Sequence, residues 1–370
     1  MAEMKVTPWE VTGDIDYAQL MREFGISEIT PALRKRLEKT LGDNMYLRRG
    51  IFPFHRDLDF ILTEFEKGNK FYLYTGRGPS GHTHMGHLIP WMFTKQLQDA
   101  FGSKLLFQIT DDEKFMFRPD LSIEDVENFS RENTLDIIAV GFDPKKTEIF
   151  TDTGYAKTLY KQAIRIAKHI TFSTAKAVFG FDNESNVGKI FFTSVQAVPA
   201  MLESARQGKN VPCLIPHAVD QDAHFRVARD VLPKLGYYKP ASIQCKFIPG
   251  LGKGGKMSAS EPATTIFTTD DSKTIETKLK NAYTGGRDTV EEQKKMGGRP
   301  EVCPIFSYYQ FLFEPDDRKL EERKSACKGG KLMCGECKAQ LVPRAQKFFA
   351  EHQKKREQAR KSLDKFLLKD

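Results

Sequence analysis

Four short apolar runs punctuate the middle of the chain at wide intervals: Phe71-Tyr72-Leu73-Tyr74, Leu105-Leu106-Phe107-Gln108-Ile109, Val211-Pro212-Cys213-Leu214-Ile215 and Ile243-Gln244-Cys245-Lys246-Phe247-Ile248. Runs of this length predict buried strands. The long stretches between them are helical in pattern, so the strands are expected to run parallel through helical crossovers. Helix punctuation agrees with this. Ser122-Ile123-Glu124-Asp125 has capping-box chemistry, and Gly141 follows Leu135, Ile137 and Ile138 as a C-terminal stop. A second helix, over 222–235, ends at Gly236. The predicted class is α/β with a parallel sheet.

The flanks read differently. Near the start, alternation on both sides of Gly13-Asp14 predicts a small hairpin that turns there, followed by a helix over 31–40. After about 266 the strand signals cease and helices are predicted over 271–282, 305–313 and 341–367. In the last, Leu341, Ala345, Phe348, Phe349, Ala359, Leu363 and Phe366 keep a 3.6-residue period, while Lys354, Lys355, Arg356, Arg360, Lys361 and Lys365 occupy the other side. Three parts are therefore expected: an N-terminal extension over 1–60, an α/β domain over 61–265, and a helical domain with a basic face over 266–370.

Composition narrows the function classes. Among 370 residues, 40% are apolar and 29% charged, and no apolar run approaches the ~18 to 20 residues that span a bilayer, which excludes a membrane-spanning or largely disordered chain. The opening Met-Ala-Glu-Met-Lys lacks leader character, so a cytoplasmic location is expected. A net charge of +8 favours a polyanionic partner. Six cysteines without a secretory signal do not suggest a disulfide framework. Cys327, Cys334 and Cys337 hint at zinc, but one CxxC without a second pair leaves the expectation at no metal site.

The chemistry concentrates in two loops. After the first strand come Thr75-Gly76-Arg77-Gly78-Pro79-Ser80-Gly81-His82-Thr83-His84-Met85-Gly86-His87, a Gly- and Pro-rich turn that opens a helix over 84–97. Backbone N–H groups and the positive helix end favour phosphate oxygens there. His84 and His87 fall on one side of the first turn, and Gly86 bares the backbone between them. Neither the Walker A loop nor the dinucleotide fingerprint is present. The second loop, Leu251-Gly252-Lys253-Gly254-Gly255-Lys256-Met257-Ser258-Ala259-Ser260, is flexible and cationic. A mobile lysine can follow the charge that builds on a leaving pyrophosphate.

Together, His84-Met85-Gly86-His87 and Lys256-Met257-Ser258-Ala259-Ser260 resemble the two signatures of class I aminoacyl-tRNA synthetases. The text around them, including Tyr74 to Ser80, Thr110-Asp111-Asp112-Glu113-Lys114 and Ala218-Val219-Asp220-Gln221-Asp222, is similar to the eukaryotic cytoplasmic type of tryptophanyl-tRNA synthetase, and the likeness covers nearly the whole chain. The resemblance implies a Rossmann-like catalytic domain, an all-helical anticodon-binding domain, and a homodimer. The implied substrates are L-tryptophan, ATP with Mg2+, and tRNA(Trp). In the roles it implies, His84, His87, Lys256 and Lys114 are catalytic. Thr75, Gly76, Arg77, Gly78, Gly86, Asp220, Met257, Ser258 and Ser260 hold ATP, while Tyr74, Gln108, Glu113, Gln196 and Gln221 hold tryptophan. Indole offers one N–H donor and no acceptor, so a selective pocket must present oxygen, as Tyr74 and Gln108 do.

Two departures from the family pattern stand out. Ala259 replaces a second lysine, for which Lys114 or Lys253 compensates, and the loop between Ser80 and His84 is one residue short, leaving His82 as a loop histidine. Alternatives are a tyrosyl-tRNA synthetase, a small-molecule nucleotidylyltransferase, and a non-catalytic tRNA-binding module. Pyrophosphate exchange with each amino acid separates them.

Overall fold

The computed structural model describes residues 16–370 and, in addition, the strands β1 (Lys5–Val6) and β2 (Val11–Thr12). These two pair antiparallel, with Lys5 opposite Thr12 and Val6 opposite Val11. The expected turn at Gly13-Asp14 lies outside the described residues and beyond the paired segment.

The strands that follow are β3 (Ser27–Glu28), β4 (Phe54–Arg56), β5 (Tyr72–Arg77), β6 (Leu105–Ile109), β7 (Thr147–Thr151), β8 (Cys213–Ala218) and β9 (Ala241–Cys245). They form one sheet in the order β3-β4-β9-β8-β5-β6-β7. From β9 to β7 every pairing is parallel, as the spacing of apolar runs predicts, whereas β3 and β4 add an antiparallel edge. Three strands escaped the sequence reading. Two span only two or three residues, and β7, Thr-Glu-Ile-Phe-Thr, lacks a continuous apolar run.

Side chains alternate across the sheet. Leu73, Leu105, Phe107, Ile149 and Ile243 enter one core, while Tyr72, Tyr74, Leu106, Phe150 and Ile215 enter the other. Helices cover both faces, so both strand faces are apolar. The helices α1 (Met85–Phe101), α2 (Asp111–Phe117) and α4 (Asp222–Val231) line the site, while α3 (Ile123–Ala139) packs against α2 and α5 (Cys334–Arg360) against α3. Ser122 and Asp125 form the expected capping box of α3, and the helix at Pro31–Leu41 matches its prediction.

Leu341, Ala345, Phe349 and Phe366 belong to the same core as β6 and α1, so the helical segment packs directly on the sheet layer. Two expectations for this segment are corrected. α5 starts at Cys334 and stops at Arg360, and the tail beyond it turns to lie along β7, with Ile149 N–H donating to Phe366 O at 2.7 Å and Leu368 N–H donating to Ile149 O at 2.8 Å. An open sheet edge needs partners, and the tail supplies them. Arg356 does not lie on the solvent face. It is 6% exposed and ion-pairs with Glu132 and Asp136, both at 2.8 to 2.9 Å, whereas Lys354, Lys355, Arg360, Lys361 and Lys365 are exposed.

Candidate active site

In sequence order the sheet grows from β5 to β6 and β7 on one side, then to β8 and β9 on the other. The reversal leaves a crevice beyond the carboxyl ends of β5 and β8, because the connections leave those ends in opposite directions. A cavity of about 470 Å³ occupies that place. Its walls are the ends of β5, β6, β8 and β9, the start of α1, and residues 256–260 of the cationic loop.

One wall carries the paired imidazoles. His84 is the extended N-cap residue of α1, and its ring stacks on that of His87 with 3.6 Å between centroids. The His84 backbone N–H donates to His87 Nδ1 at 3.2 Å. That acceptor role leaves the His87 proton on Nε2, where it is available as a donor. Burial pushes both imidazoles well below their ordinary range, and the charges of Arg77 and Lys256 add to this. Both rings are therefore uncharged at neutral pH. A Cβ on Gly86 would meet the His84 ring at 3.1 Å and Ile248 Cγ2 at 3.3 Å. A side chain here would press the His84 ring a few tenths of an ångström away from the helix start.

The facing wall is the cationic loop. Lys256 Nζ lies 2.8 Å from Asp220 Oδ2 and 5.1 Å from the centre of the Phe247 ring. Met257 N–H donates to Ile248 O at 3.0 Å, anchoring the loop beside the end of β9. Downstream, Met85 N–H donates to Ile266 O at 3.0 Å and Thr268 N–H to Thr83 O at 2.9 Å, so the chain leaving the loop is stitched to the residues that open α1. The two walls are thus neighbours by backbone pairing. Met257, Ser258 and Ser260 line the cavity with Lys256.

Gly78 explains how Lys114 reaches the site. A Cβ there would stand 2.1 Å from Lys114 Cε, so glycine leaves room for this side chain to cross the end of β5, and a larger residue would make the lysine's flexible end shift. Lys114 Nζ donates to Glu113 Oε1 at 2.6 Å and Thr110 Oγ1 donates to Glu113 Oε2 at 2.5 Å. Burial alone would raise the Glu113 carboxyl, but the Lys114 charge and these two hydrogen bonds outweigh it and hold it below the usual value. Arg77 donates to Asn133 Oδ1 at 2.7 Å, and burial lowers its guanidinium to about 10. Thr75 and Gly76 complete the floor.

At the far end Gln196, Gln221, His224 and Phe225 line the cavity. Tyr74 and Gln108 stand behind that lining, completely buried and joined by a hydrogen bond of 2.5 Å. His224 and Phe225 went unnoticed in the sequence, although their spacing of three and four from Gln221 puts all three on one helix face.

A family model described as tRNA synthetases class I (W and Y) matches residues 66–350. A tryptophan–tRNA ligase of Thermococcus sibiricus is 50% identical over 370 residues, which cover 99% of this chain and 94% of the relative. The chain belongs to the tryptophanyl-tRNA synthetases. Among solved structures, the Plasmodium falciparum tryptophanyl-tRNA synthetase aligns with a TM-score of 0.87 at 40% identity, covering 93% of this chain and 94% of that one. The Encephalitozoon cuniculi tryptophanyl-tRNA synthetase, solved with tryptophan bound, gives 0.87 at 40% identity and covers 96% and 98%. A Thermococcus relative beside these two means that the likeness is not confined to the eukaryotic branch.

Like those structures, this tryptophanyl-tRNA synthetase has a Rossmann-like sheet followed by a helical segment. Of the residues expected to serve catalysis, ATP or tryptophan, all but Tyr74 and Gln108 line the one cavity. His82 packs edge-on against Phe129 and Phe267 at 5.7 and 6.2 Å. Cys327, Cys334 and Cys337 are free thiols in the helical segment, and burial lifts the Cys327 thiol to about 11. Among the described residues no helix is long and apolar enough to cross a membrane.

Proposed function

We propose that this cleft activates L-tryptophan with ATP and then loads it onto tRNA(Trp). The observation that carries the reading is the meeting of neutral His84 and His87 with the cationic Lys256 across one cavity. In the first step a tryptophan carboxylate oxygen attacks the α-phosphorus of ATP, and the bond to the β-phosphate oxygen breaks to release pyrophosphate. Neutral imidazoles donate hydrogen bonds to phosphate oxygens without a proton changing hands. Lys256 exchanges Asp220 for the phosphates and follows the charge that grows on the leaving group, a contact stronger in the transition state than before it. In the second step a hydroxyl of the tRNA 3′-terminal ribose takes the acyl group and AMP departs.

Arg77, Thr75, Gly76, Gly78 and Gly86 form the nucleotide side of the cleft. Glu113, held ionised by Lys114 and Thr110, suits the tryptophan ammonium, with Gln196 and Gln221 nearby. Lys114 lines the same cavity and would supply the charge that Ala259 does not. Charge neutralisation at the phosphates would be supplied by Mg2+ carried with ATP. Asp220 is the cavity's remaining carboxylate beside Glu113 and is already paired with Lys256, a donor set that fits an ion held mainly by phosphates and water.

The domain plan of 1–60, 61–265 and 266–370 goes with this reading, the last part serving as the anticodon-binding domain. Its exposed Lys354, Lys355, Lys361 and Lys365 suit tRNA phosphates. Phe115, Tyr160, Ile164, Phe172 and Val187 are exposed on neighbouring helices, an apolar surface that favours a homodimer. A cytoplasmic location accompanies a role in translation.

The test is ATP–pyrophosphate exchange with each of the twenty amino acids. Exchange with tryptophan, and not with tyrosine, is expected; dependence on tyrosine alone would refute the reading. A Lys114→Ala enzyme that exchanged at the wild-type rate would remove Lys114 from the catalytic set.

A further inference from the structure

Gln108 is completely buried and both ends of its amide are engaged. Nε2 donates to Asp152 Oδ1 at 2.7 Å, and Oε1 accepts from the Tyr74 hydroxyl at 2.5 Å. The Tyr74 oxygen accepts in turn from Gln196 Nε2 at 2.7 Å, and Gln196 lines the cavity. Each link in this chain has a direction. A side-chain amide is nearly symmetric in shape, so turning it end for end exchanges donor and acceptor at little steric cost. What distinguishes the two orientations of Gln108 is Asp152, just beyond β7, whose Oδ1 receives a hydrogen bond from Gln108.

The second oxygen of Asp152 shows why Oδ1 is free to accept. Oδ2 is buried with no hydrogen-bond donor among the described residues, and carboxylate oxygens of Asp111, Asp112 and Asp152 lie within 4.8 Å of one another. Carboxyl groups gathered in a site largely closed to water resist ionising together. Burial lifts Asp152 well above the usual carboxylate range, and burial lifts Asp112 to about 6. A proton between Oδ2 and Asp112 satisfies that side and leaves Oδ1 as an acceptor for Gln108.

We propose that Asp152 is a positioning residue for amino-acid selection: by holding the Gln108 amide in one orientation it keeps oxygen, and not N–H, at the place where the substrate's indole N–H must be received. This rests on the expectation, drawn from the family resemblance, that Tyr74 and Gln108, which stand just behind the cavity lining, receive the indole. With the amide turned over, Nε2 would face Tyr74, the phenol hydrogen would swing away from Gln108, and a donor would confront the indole donor. A buried polar group left unpaired in this way discriminates strongly between substrates.

The test compares pyrophosphate exchange with tryptophan and with 3-benzothienyl-L-alanine, an isostere whose sulfur replaces the indole N–H. The wild-type enzyme is expected to prefer tryptophan. Asp152→Ala is expected to lower kcat/KM for tryptophan by about tenfold or more while changing the isostere by less than about twofold and leaving the ATP KM in place. Asp152→Asn keeps an oxygen for Gln108 and offers an N–H to Asp112, so it should restore the preference. If Asp152→Ala does not fold, Asp152→Ser, too short to reach Gln108, carries the same comparison. Equal losses with both amino acids, or an Asp152→Asn enzyme no better than Asp152→Ala, would overturn the proposal. A wild-type enzyme indifferent to the isostere would instead refute the assignment of Tyr74 and Gln108, a result visible before any substitution is made.

Discussion

Lys256 Nζ rests 2.8 Å from Asp220 Oδ2, so the cationic loop is tied to the end of β8 by a single ion pair. The pair gives the ammonium a resting partner that a triphosphate can replace. Lys256→Ala is expected to lower kcat of tryptophan-dependent exchange by about 10² to 10³ with a smaller change in the ATP KM, the range seen when one transition-state donor is removed. Steady-state exchange kinetics at varied ATP check this, and a change confined to KM would contradict it.

Acid should destabilise the protein from just below neutrality. Burial lowers His55, His84, His87, His217 and His224 from 6.5, the last to about 4. The folded chain keeps these imidazoles neutral where the unfolded chain takes up protons, so stability is lost as pH falls below about 6.5, by up to ~1.4 kcal/mol per pH unit for each histidine. Asp112 and Asp152, raised in the folded state, oppose this over the same window but are fewer. Calorimetry should give a Tm lower by about 5 °C or more at pH 5 than at pH 7.

Basic residues on α5 divide by burial. Arg356→Ala strips a guanidinium from the buried Asp136 and should cost about 3 kcal/mol in urea unfolding, near the lower end for a broken buried pair because His352 Nε2 remains 2.9 Å from the same carboxylate. Lys354→Ala with Lys355→Ala should leave stability within about 0.5 kcal/mol and raise the KM for tRNA in a salt-dependent way. Exchange without tRNA should be unchanged in that double variant.

Gly297 provides a test of backbone packing away from the cleft. Its φ is 69°, and a Cβ would stand 1.8 Å from Lys328 O. Gly297→Ala combines a left-handed backbone with a clash against a carbonyl and should destabilise by about 2 to 4 kcal/mol. Denaturant midpoints measure it, with exchange at low temperature unaffected.

The parallel strands β5, β6, β8 and β9, the capped helix α3, and the two loops bearing His84, His87 and Lys256 were legible in the chain itself, because apolar runs, capping residues and glycines act through neighbours a few positions away. So was the membership of Glu113, Gln196 and Asp220 in one site, through resemblance to a family. Other features depended on distant partners. β3 and β4 are strands because the edge of β9 is there to pair with, and the tail past Arg360 leaves the helix because β7 offers an unfilled edge. Arg356 has the spacing of a surface cation, yet Asp136 on α3 draws it inside. Periodicity along one segment cannot register a charge supplied by another, and the same holds for Asp152, whose bearing on Gln108 exists only because β6 and β7 lie side by side. The sequence by itself determined which chemical groups the protein carries and the local elements that present them; tertiary packing alone decided which of those groups meet, since hydrogen bonds and ion pairs act across a few ångströms of space whatever the separation along the chain.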